Sequence, residues 1–278
     1  MRKLSDSYRT ALVTGASAGL GRAVAGMLLE EGVQVWGTAR DPARLPVIAG
    51  LSAVALDLDS DASVDAAFTA AGREAGGLDL VVNNAGYGLF GSFDELDFAG
   101  WRRQLDAMLV RTMRLSHLAL RSMRARNCGA LVNVSSLAVE FPLPFMSGYN
   151  VVKSGLAAFS ESLMMEVAGT GVIVIDFRPG DYRTNFNQTM QTASEQCSSP
   201  DQARADRRRR AWSVLDANLR AAPLPARAAA DLRRALLRRR SGTVRSGSYF
   251  QARLAPLLVR LIPLRLRRAA AARYFGCS

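Results

Sequence analysis

Tyr149 and Lys153 stand four positions apart in Tyr149-Asn150-Val151-Val152-Lys153. On a helix, residues at i and i+4 share one face, so this spacing sets an ammonium beside a phenol. Free tyrosine ionises near pH 10, and a neighbouring positive charge favours the phenolate, bringing it toward the working range. Reducing a ketone requires a proton for the developing alkoxide, and the reverse reaction requires one removed; a phenol tuned in this way does either. Ser136 closes Asn133-Val134-Ser135-Ser136, upstream of Tyr149. Its hydroxyl can hold a substrate oxygen, whereas Ser135 points to the other strand face. Alone, a serine after a strand reads as a turn or cap.

A second constellation lies near the N-terminus. The apolar run Thr10 to Thr14 leads into Gly15-Ala16-Ser17-Ala18-Gly19-Leu20-Gly21, and a helix with Val24, Met27 and Leu28 on its apolar side follows. Gly15 permits a tight turn, and the later glycines let a pyrophosphate and a strand approach the backbone. The helix start presents free N–H groups and a positive dipole end. Such a turn suits a dinucleotide.

The spacing T-G-x-x-x-G-x-G resembles that of the short-chain dehydrogenase/reductase family. Three further matches carry the resemblance: Asn83-Asn84-Ala85-Gly86, the Y-x-x-x-K of Tyr149 and Lys153, and Pro179-Gly180 with Thr184. In order and separation they span roughly residues 8 to 250. The resemblance implies an oxidoreductase that interconverts a ketone and a secondary alcohol, with Ser136, Tyr149 and Lys153 catalytic. It also implies a nicotinamide cofactor held by Gly15, Ser17, Gly19, Leu20, Gly21, Asp57, Leu58, Asn84, Ala85, Gly86, Tyr149, Lys153, Pro179, Gly180 and Thr184. By alignment to the family, Ala39 occupies the position where an acidic residue would select NAD, and Arg40 follows it. Arginine forms charge-assisted bonds to a 2′-phosphate, so NADP(H) is expected. In its plainer reading Asp57 caps a turn. One family residue is missing: Met108 stands where an Asn supports a water relay to the lysine, and a thioether cannot donate a hydrogen bond. That departure suggests the alternative, a catalytically silent NADP(H)-binding regulator, which the complete Ser136, Tyr149 and Lys153 set opposes. A dehalogenase relative is opposed by Lys153 and the glycine motif.

These residues require a scaffold of alternating strands and helices. Apolar β-branched runs at Thr10 to Thr14, Gln34 to Thr38, Ser52 to Asp57, Leu78 to Asn83, Ala130 to Ser135 and Val172 to Arg178 read as parallel strands. Helices are expected from near Leu20, Ala43, Ser63, Phe93 and Gly148. The pattern predicts an α/β fold with a doubly wound parallel sheet of Rossmann type, in one domain over residues 8–249. A last strand near Thr243 to Ser248 closes one edge. Residues 185–225 break the alternation with polar and Arg-rich sequence, including Gln188, Gln191, Ser194, Gln196, Ser198, Ser199 and Pro200, and are expected to form a lid insertion. Residues 250–278 form a basic amphipathic extension in which Pro256 and Pro263 interrupt any continuous helix.

Charge is unevenly placed in the 278 residues. Residues 1–200 carry 17 Lys/Arg against 20 Asp/Glu, while 201–278 carry 19 arginines against four aspartates. The arginine runs at 207–210 and 238–240 lack the interleaved aromatic residues of a stacking platform, so no nucleic-acid partner is expected. Residues 250–268 suggest peripheral contact with an anionic membrane, or a cover over the pocket or a subunit interface. Cys128, Cys197 and Cys277 are scattered, and no apolar leader opens the chain, so a cytoplasmic protein without a metal site is expected. The mostly apolar stretch Leu137 to Met146 predicts a small hydrophobic carbonyl or alcohol substrate: steroid-like, lipid or polyketide. His117, among Leu115, Leu118 and Leu120, reads as a packed or surface residue. Related enzymes commonly form dimers or tetramers, so a homo-oligomer is expected.

Overall fold

Parallel strands covered on both faces need apolar side chains pointing both ways. β1 (Thr10–Val13) and β4 (Leu80–Asn83) are buried at every position. With β2 (Gln34–Ala39), β3 (Leu51–Ala55), β5 (Gly129–Val134), β6 (Val172–Pro179) and β7 (Gly242–Ser246) they form a seven-stranded sheet of order β3-β2-β1-β4-β5-β6-β7. All neighbours are parallel, in register at Thr10↔Gln34, Asn83↔Asn133 and Pro179↔Ser246. This is the expected doubly wound Rossmann-type sheet. The computed structural model describes residues 2–187, 190 and 201–277. Gln188, Gln191, Ser194, Gln196, Ser198, Ser199 and Pro200 of the expected lid, and Cys197, lie outside them.

Alternation along each strand divides the core. Val13, Val82, Val132 and Ile175 face α1 (Gly19–Glu30), while Leu12, Val81, Leu131 and Val174 face α2 (Asp61–Ala75) and the helices beyond it. A long helical stretch follows β4: α3 (Phe98–Leu105), a π-helical turn at Asp106–Val110, and α4 (Arg111–Ala125). α5 (Ser147–Glu166) then lies on the same face as α2 and α4. α6 (Gln202–Ala221) and α7 (Pro225–Arg238) lead to β7, and α7 joins α1 on the other face through Leu232 and Leu236. The strand order reverses between β1 and β4, which opens a crevice at the carboxyl ends of those strands.

Two expectations are corrected. The helix expected near Ala43 is a single 3₁₀ turn, Pro42–Arg44. Asp41 caps it by accepting from Ala43 N at 3.0 Å, and Pro46 disfavours helical backbone in the residue before it. The helix expected from Phe93 starts at Phe98, after Asp97 accepts from Ala99 N at 3.1 Å. Within the expected lid, residues 202–221 are one regular helix, α6, with Asp201 accepting from Arg204 N at 3.2 Å. Its arginines and alanines are strong helix formers, and polarity alone disguised them. They are also engaged: Arg204 reaches Asp94 at 2.9 Å and Arg208 reaches Glu95 at 2.9 Å. In the extension, Pro256 sits in the first turn of α8 (Ala255–Leu261), where a proline costs no hydrogen bond. Pro263 separates α8 from α9 (Leu264–Tyr274).

Candidate active site

The carboxyl ends of β1 and β4 are tied together. Thr14 Oγ1 accepts from the backbone N–H groups of Asn84 and Ala85, each at 2.9 Å, and Asn84 Nδ2 donates to Thr14 O at 2.8 Å. Between these ends the backbone of Gly15 turns left-handed, and a Cβ there would lie 3.0 Å from Ala85 Cα. A side chain on Gly21 would overlap Gly15 O, so the helix start is pressed against the turn. Ala18, the cap of α1, offers no side-chain acceptor, which leaves the first N–H groups of the helix for another acceptor. Ser17 and Leu20 are half-buried beside this opening. Thr184, beyond Pro179-Gly180, closes on the same turn, its Cβ 3.3 Å from where a Gly19 side chain would begin. A glycine cradle with unmet helix donors fits the pyrophosphate of a dinucleotide.

At the end of β2, Ala39 is buried and Arg40 is exposed, with no ion-pair partner among the described residues. Asp57, after β3, accepts from Asp59 N at 3.0 Å, so its carboxylate caps that turn while remaining exposed. Leu58 is half-buried against the cluster of Met108 and Val152.

Ser136, Tyr149 and Lys153 are brought together where β5 ends. Ser136 is buried near Tyr149, and its Oγ accepts from Ala138 N at 3.0 Å. One helical turn along α5, Lys153 Nζ lies 5.6 Å from the Tyr149 ring centre and donates to Val134 O at 2.7 Å. α5 starts close against α3, since a Cβ on Gly148 would lie 2.6 Å from both Trp101 and Gln104. Ser135 turns away: its hydroxyl donates to the buried Asp176, which Arg178 Nε also reaches at 2.6 Å. The electrostatics differ from the sequence-based expectation. Burial pushes the Tyr149 phenol up to about 12, against the opposing effect of the Ser136 hydroxyl and with a contribution from Asp181. Burial also brings Lys153 down to about 8, opposed by Asp176. Desolvation therefore dominates the shift of both groups.

The π-helical turn carries Met108 to the floor of this region. Its Sδ accepts from Tyr87 N at 3.3 Å, and its Cε would lie 2.7 Å from a Cβ on Gly86. The thioether thus takes a backbone donor and fills the space that Gly86 leaves. Beneath it, Asn83 Nδ2 donates to Asn133 Oδ1 and Ser116 Oγ at 2.9 Å each, and Asn133 Nδ2 donates to Ser160 Oγ at 2.9 Å. This buried network locks β4, β5, α4 and α5 together, and of its members Asn83 and Asn133 fall within stretches singled out in the sequence. His117 lies on the exposed face of α4.

Residues 9–195 match the sequence model described as short chain dehydrogenase. The chain belongs to the short-chain dehydrogenase/reductase family. This short-chain dehydrogenase/reductase is 38% identical over 192 residues to an uncharacterized oxidoreductase of Myxococcus xanthus, covering 66% of this chain and 76% of that one. It is 32% identical over 187 residues to the 3-oxoacyl-[acyl-carrier-protein] reductase FabG of Vibrio cholerae, covering 66% and 77%. To a 3-ketodihydrosphingosine reductase of Bacteroides thetaiotaomicron it is 30% identical over 175 residues, covering 63% and 64%. A short-chain dehydrogenase structure from Streptomyces avermitilis superposes with a TM-score of 0.78 at 27% identity, over 97% of each chain. The family is one of oxidoreductases and includes ketoreductases.

Sequence reading missed one pair beside this site in the short-chain dehydrogenase/reductase. Gln251 Nε2, from the π-helical turn Phe250–Leu254 that opens the extension, donates to Asp181 Oδ2 at 2.7 Å. The only signal was an acidic residue directly after Pro179-Gly180.

Proposed function

We propose that this enzyme is an NADP(H)-dependent oxidoreductase interconverting a ketone and a secondary alcohol on a small hydrophobic substrate. The observation that carries the reading is the grouping of buried Ser136 with Tyr149 and, one turn away, Lys153, at the same sheet end as the glycine cradle. Bound to that cradle, a reduced nicotinamide would supply hydride to a carbonyl carbon. Gly15, Ser17, Gly19, Leu20 and Gly21 hold the pyrophosphate; Arg40 binds the 2′-phosphate; Asp57 and Leu58 border the adenine. Asn84, Ala85, Gly86, Pro179, Gly180 and Thr184 line the ribose and nicotinamide end. Ser136 Oγ holds the substrate oxygen, Tyr149 Oη gives or takes its proton, and Lys153 Nζ holds a ribose and counters negative charge on the phenol. Purified protein is tested with NADPH and NADH against a panel of carbonyl compounds, beside Tyr149→Phe. Turnover should be faster with NADPH, and Tyr149→Phe should fall about 10²- to 10⁴-fold, the usual contribution of a positioned acid. A Phe variant as fast as the natural enzyme refutes the mechanism.

Met108 favours one second reading, a silent NADP(H)-binding regulator of the same fold. It predicts NADPH binding, seen as a rise in Tm, with no carbonyl consumed by the natural chain.

The relatives named as reductases of fatty-acyl and sphingoid ketones support a lipid-like substrate, as does the half-buried Leu143, Phe145 and Tyr149 group beside Phe90 and Met146. A homo-oligomer is supported by the groove between α4 and α5, where Val110 and Met113 are exposed beside Leu120 and Phe159. No helix among the described residues is long and apolar enough to cross a membrane. In our reading the enzyme is cytoplasmic and rests peripherally on anionic lipid through residues 250–268. Leu257, Leu258, Leu261, Leu264 and Leu266 are exposed there, beside the exposed Arg253, Arg265 and Arg268. Leucine toward the acyl boundary with arginine toward the head groups is the arrangement of an interfacial helix.

A further inference from the structure

Arg178 lies near the end of β6 and is almost fully enclosed, yet the chemistry proposed above does not use it. Its guanidinium pairs with three carboxylates. Nε donates at 2.6 Å to Asp176 Oδ2, two residues back on the same face of β6 and wholly buried. Nη1 donates to Glu140 Oε1 at 3.3 Å, and Nη2 donates to Glu161 Oε1 at 3.2 Å. Each carboxylate leads to a different part of the candidate site. Asp176 accepts from Ser135 Oγ, on the residue before Ser136. Glu140 closes the 3₁₀ turn Leu137–Val139 that Ser136 caps, its N–H donating to Leu137 O at 2.9 Å while Ser136 Oγ accepts from Ala138 N at 3.0 Å. Glu161 stands on α5, the helix that carries Tyr149 and Lys153. On β7, Arg245 is in register with Arg178, and its Nε donates to the same Glu140 oxygen at 2.6 Å. One carboxylate oxygen thus separates two guanidinium groups that would otherwise repel.

Resting on the reductase reading above, we propose that Arg178 and Glu140 are positioning residues that hold the Ser136 hydroxyl at a fixed place relative to Tyr149 and Lys153. The guanidinium fork grips the serine from both sides, through Asp176 and Ser135 before it and through Glu140 after it. Its third arm reaches the helix of the other two catalytic residues. A planar fork with fixed donor directions transmits position, which a flexible ammonium does not. Removing the Glu140 carboxylate frees one side of the turn and leaves Arg178 facing Arg245 with no anion between them. Asp176 and Glu161 still neutralise Arg178, so the buried end of the cluster stays paired. A misplacement of about 1 Å can cost a reaction on the order of a hundredfold in rate, so a smaller shift of Ser136 gives a measurable loss.

The test is a double-mutant cycle on the full chain, read as NADPH consumption with a ketone from the carbonyl panel. Glu140→Ala should lower kcat about tenfold while KM for NADPH stays within about twofold, since the glycine cradle lies at the ends of β1 and β4. In a Ser136→Ala background the same change should lower kcat by less than about twofold, because residues that act as a unit are not additive. The fall in Tm caused by Glu140→Ala should be the same in both backgrounds, which separates positioning from a merely structural role. Glu140→Gln keeps the size and one acceptor oxygen, so it should show the same coupling with a smaller loss, and it decides the cycle if Glu140→Ala does not fold. Arg178→Lys keeps the charge without the fork and should lower kcat through Ser136 in the same way. An unchanged kcat in these variants, or losses that multiply with that of Ser136→Ala, overturns the assignment while the reductase reading stands. A natural chain inert toward the whole carbonyl panel overturns both.

Discussion

The sheet and the C-terminal extension dispose their apolar side chains in opposite ways. β1 and β4 bury every residue, and the largest side chains of the core, Trp36, Phe177 and Leu131 among them, are almost fully enclosed. α9 buries none of its own, and Leu261 at the end of α8 is 81% exposed. Folding alone explains the first arrangement, since apolar burial is its main driving force. It does not explain the second, where leucines stay in water while Phe275, immediately after α9, packs back against Phe90 and Leu215. Contiguous exposed apolar surface of this kind marks an interaction site. On the proposed function, the sheet carries the chemistry and the extension carries the contact with surroundings. Gln251 joins the two, since it opens the extension and bonds Asp181 at the sheet end.

If that division is right, substitutions in each region should change different measurements. The largest expected effect, after that of Tyr149→Phe, is at the sheet end. On the NADP(H) reading, replacing Arg40 by aspartate removes a phosphate partner and adds a repulsive charge. KM for NADPH should rise about ten- to a hundredfold while NADH becomes the better cofactor, as follows from losing a bond to a charged group. An unchanged preference in initial-rate kinetics refutes the assignment of Arg40. In the extension, Leu257→Glu with Leu261→Glu should lower binding to vesicles containing anionic lipid about tenfold or more, because each leucine contributes roughly 1.5–3 kcal/mol when fully buried. Reduction of a water-soluble ketone by the same double variant should persist. Equal co-sedimentation of this variant and the natural chain would remove the membrane role and leave the exposed leucines to a partner protein.

How much of this was legible follows the same division. Strand positions, the cradle of Gly15 to Gly21 and the meeting of Ser136 with Tyr149 were readable, because they depend on local spacing and on strand order. Desolvation was not readable. Spacing placed Lys153 beside Tyr149, but the shifts of both groups are set by how much protein covers them, a property of the fold as a whole. The Gln251–Asp181 bond joins residues far apart in sequence, and neither belongs to a periodic pattern. α6 was not read as a helix, because a helix whose arginines are paired with Asp94 and Glu95 has the composition of a polar insertion. Met108 was read as the loss of a donor; its positive contribution, accepting from Tyr87 N, needed the π-helical turn.

The smallest effect expected concerns the stability cost of the site itself. Lys153 titrates near 10.5 in a free chain and is brought down to about 8 by burial. Between these values the unfolded chain binds the proton that the folded protein has released, so stability rises with pH across that window. Below pH 8 the folded state carries a buried ammonium, a cost of about 3 kcal/mol at most for a shift of this size. Lys153→Met removes the titration together with the bond to Val134 O, whose loss shifts stability by an amount independent of pH. The difference in unfolding free energy between the Lys153→Met variant and the natural chain should therefore change in favour of the natural chain as pH rises from 7 to 10. Tyr149 is present in both and stays protonated in this range, since burial raises its phenol. Denaturant titrations at several pH values measure the difference, and one that does not vary with pH would show that the ammonium is solvated. A buried ammonium would then cease to distinguish the chemical end of the sheet from the arginine-bearing surface of the extension, where solvent already surrounds the charge.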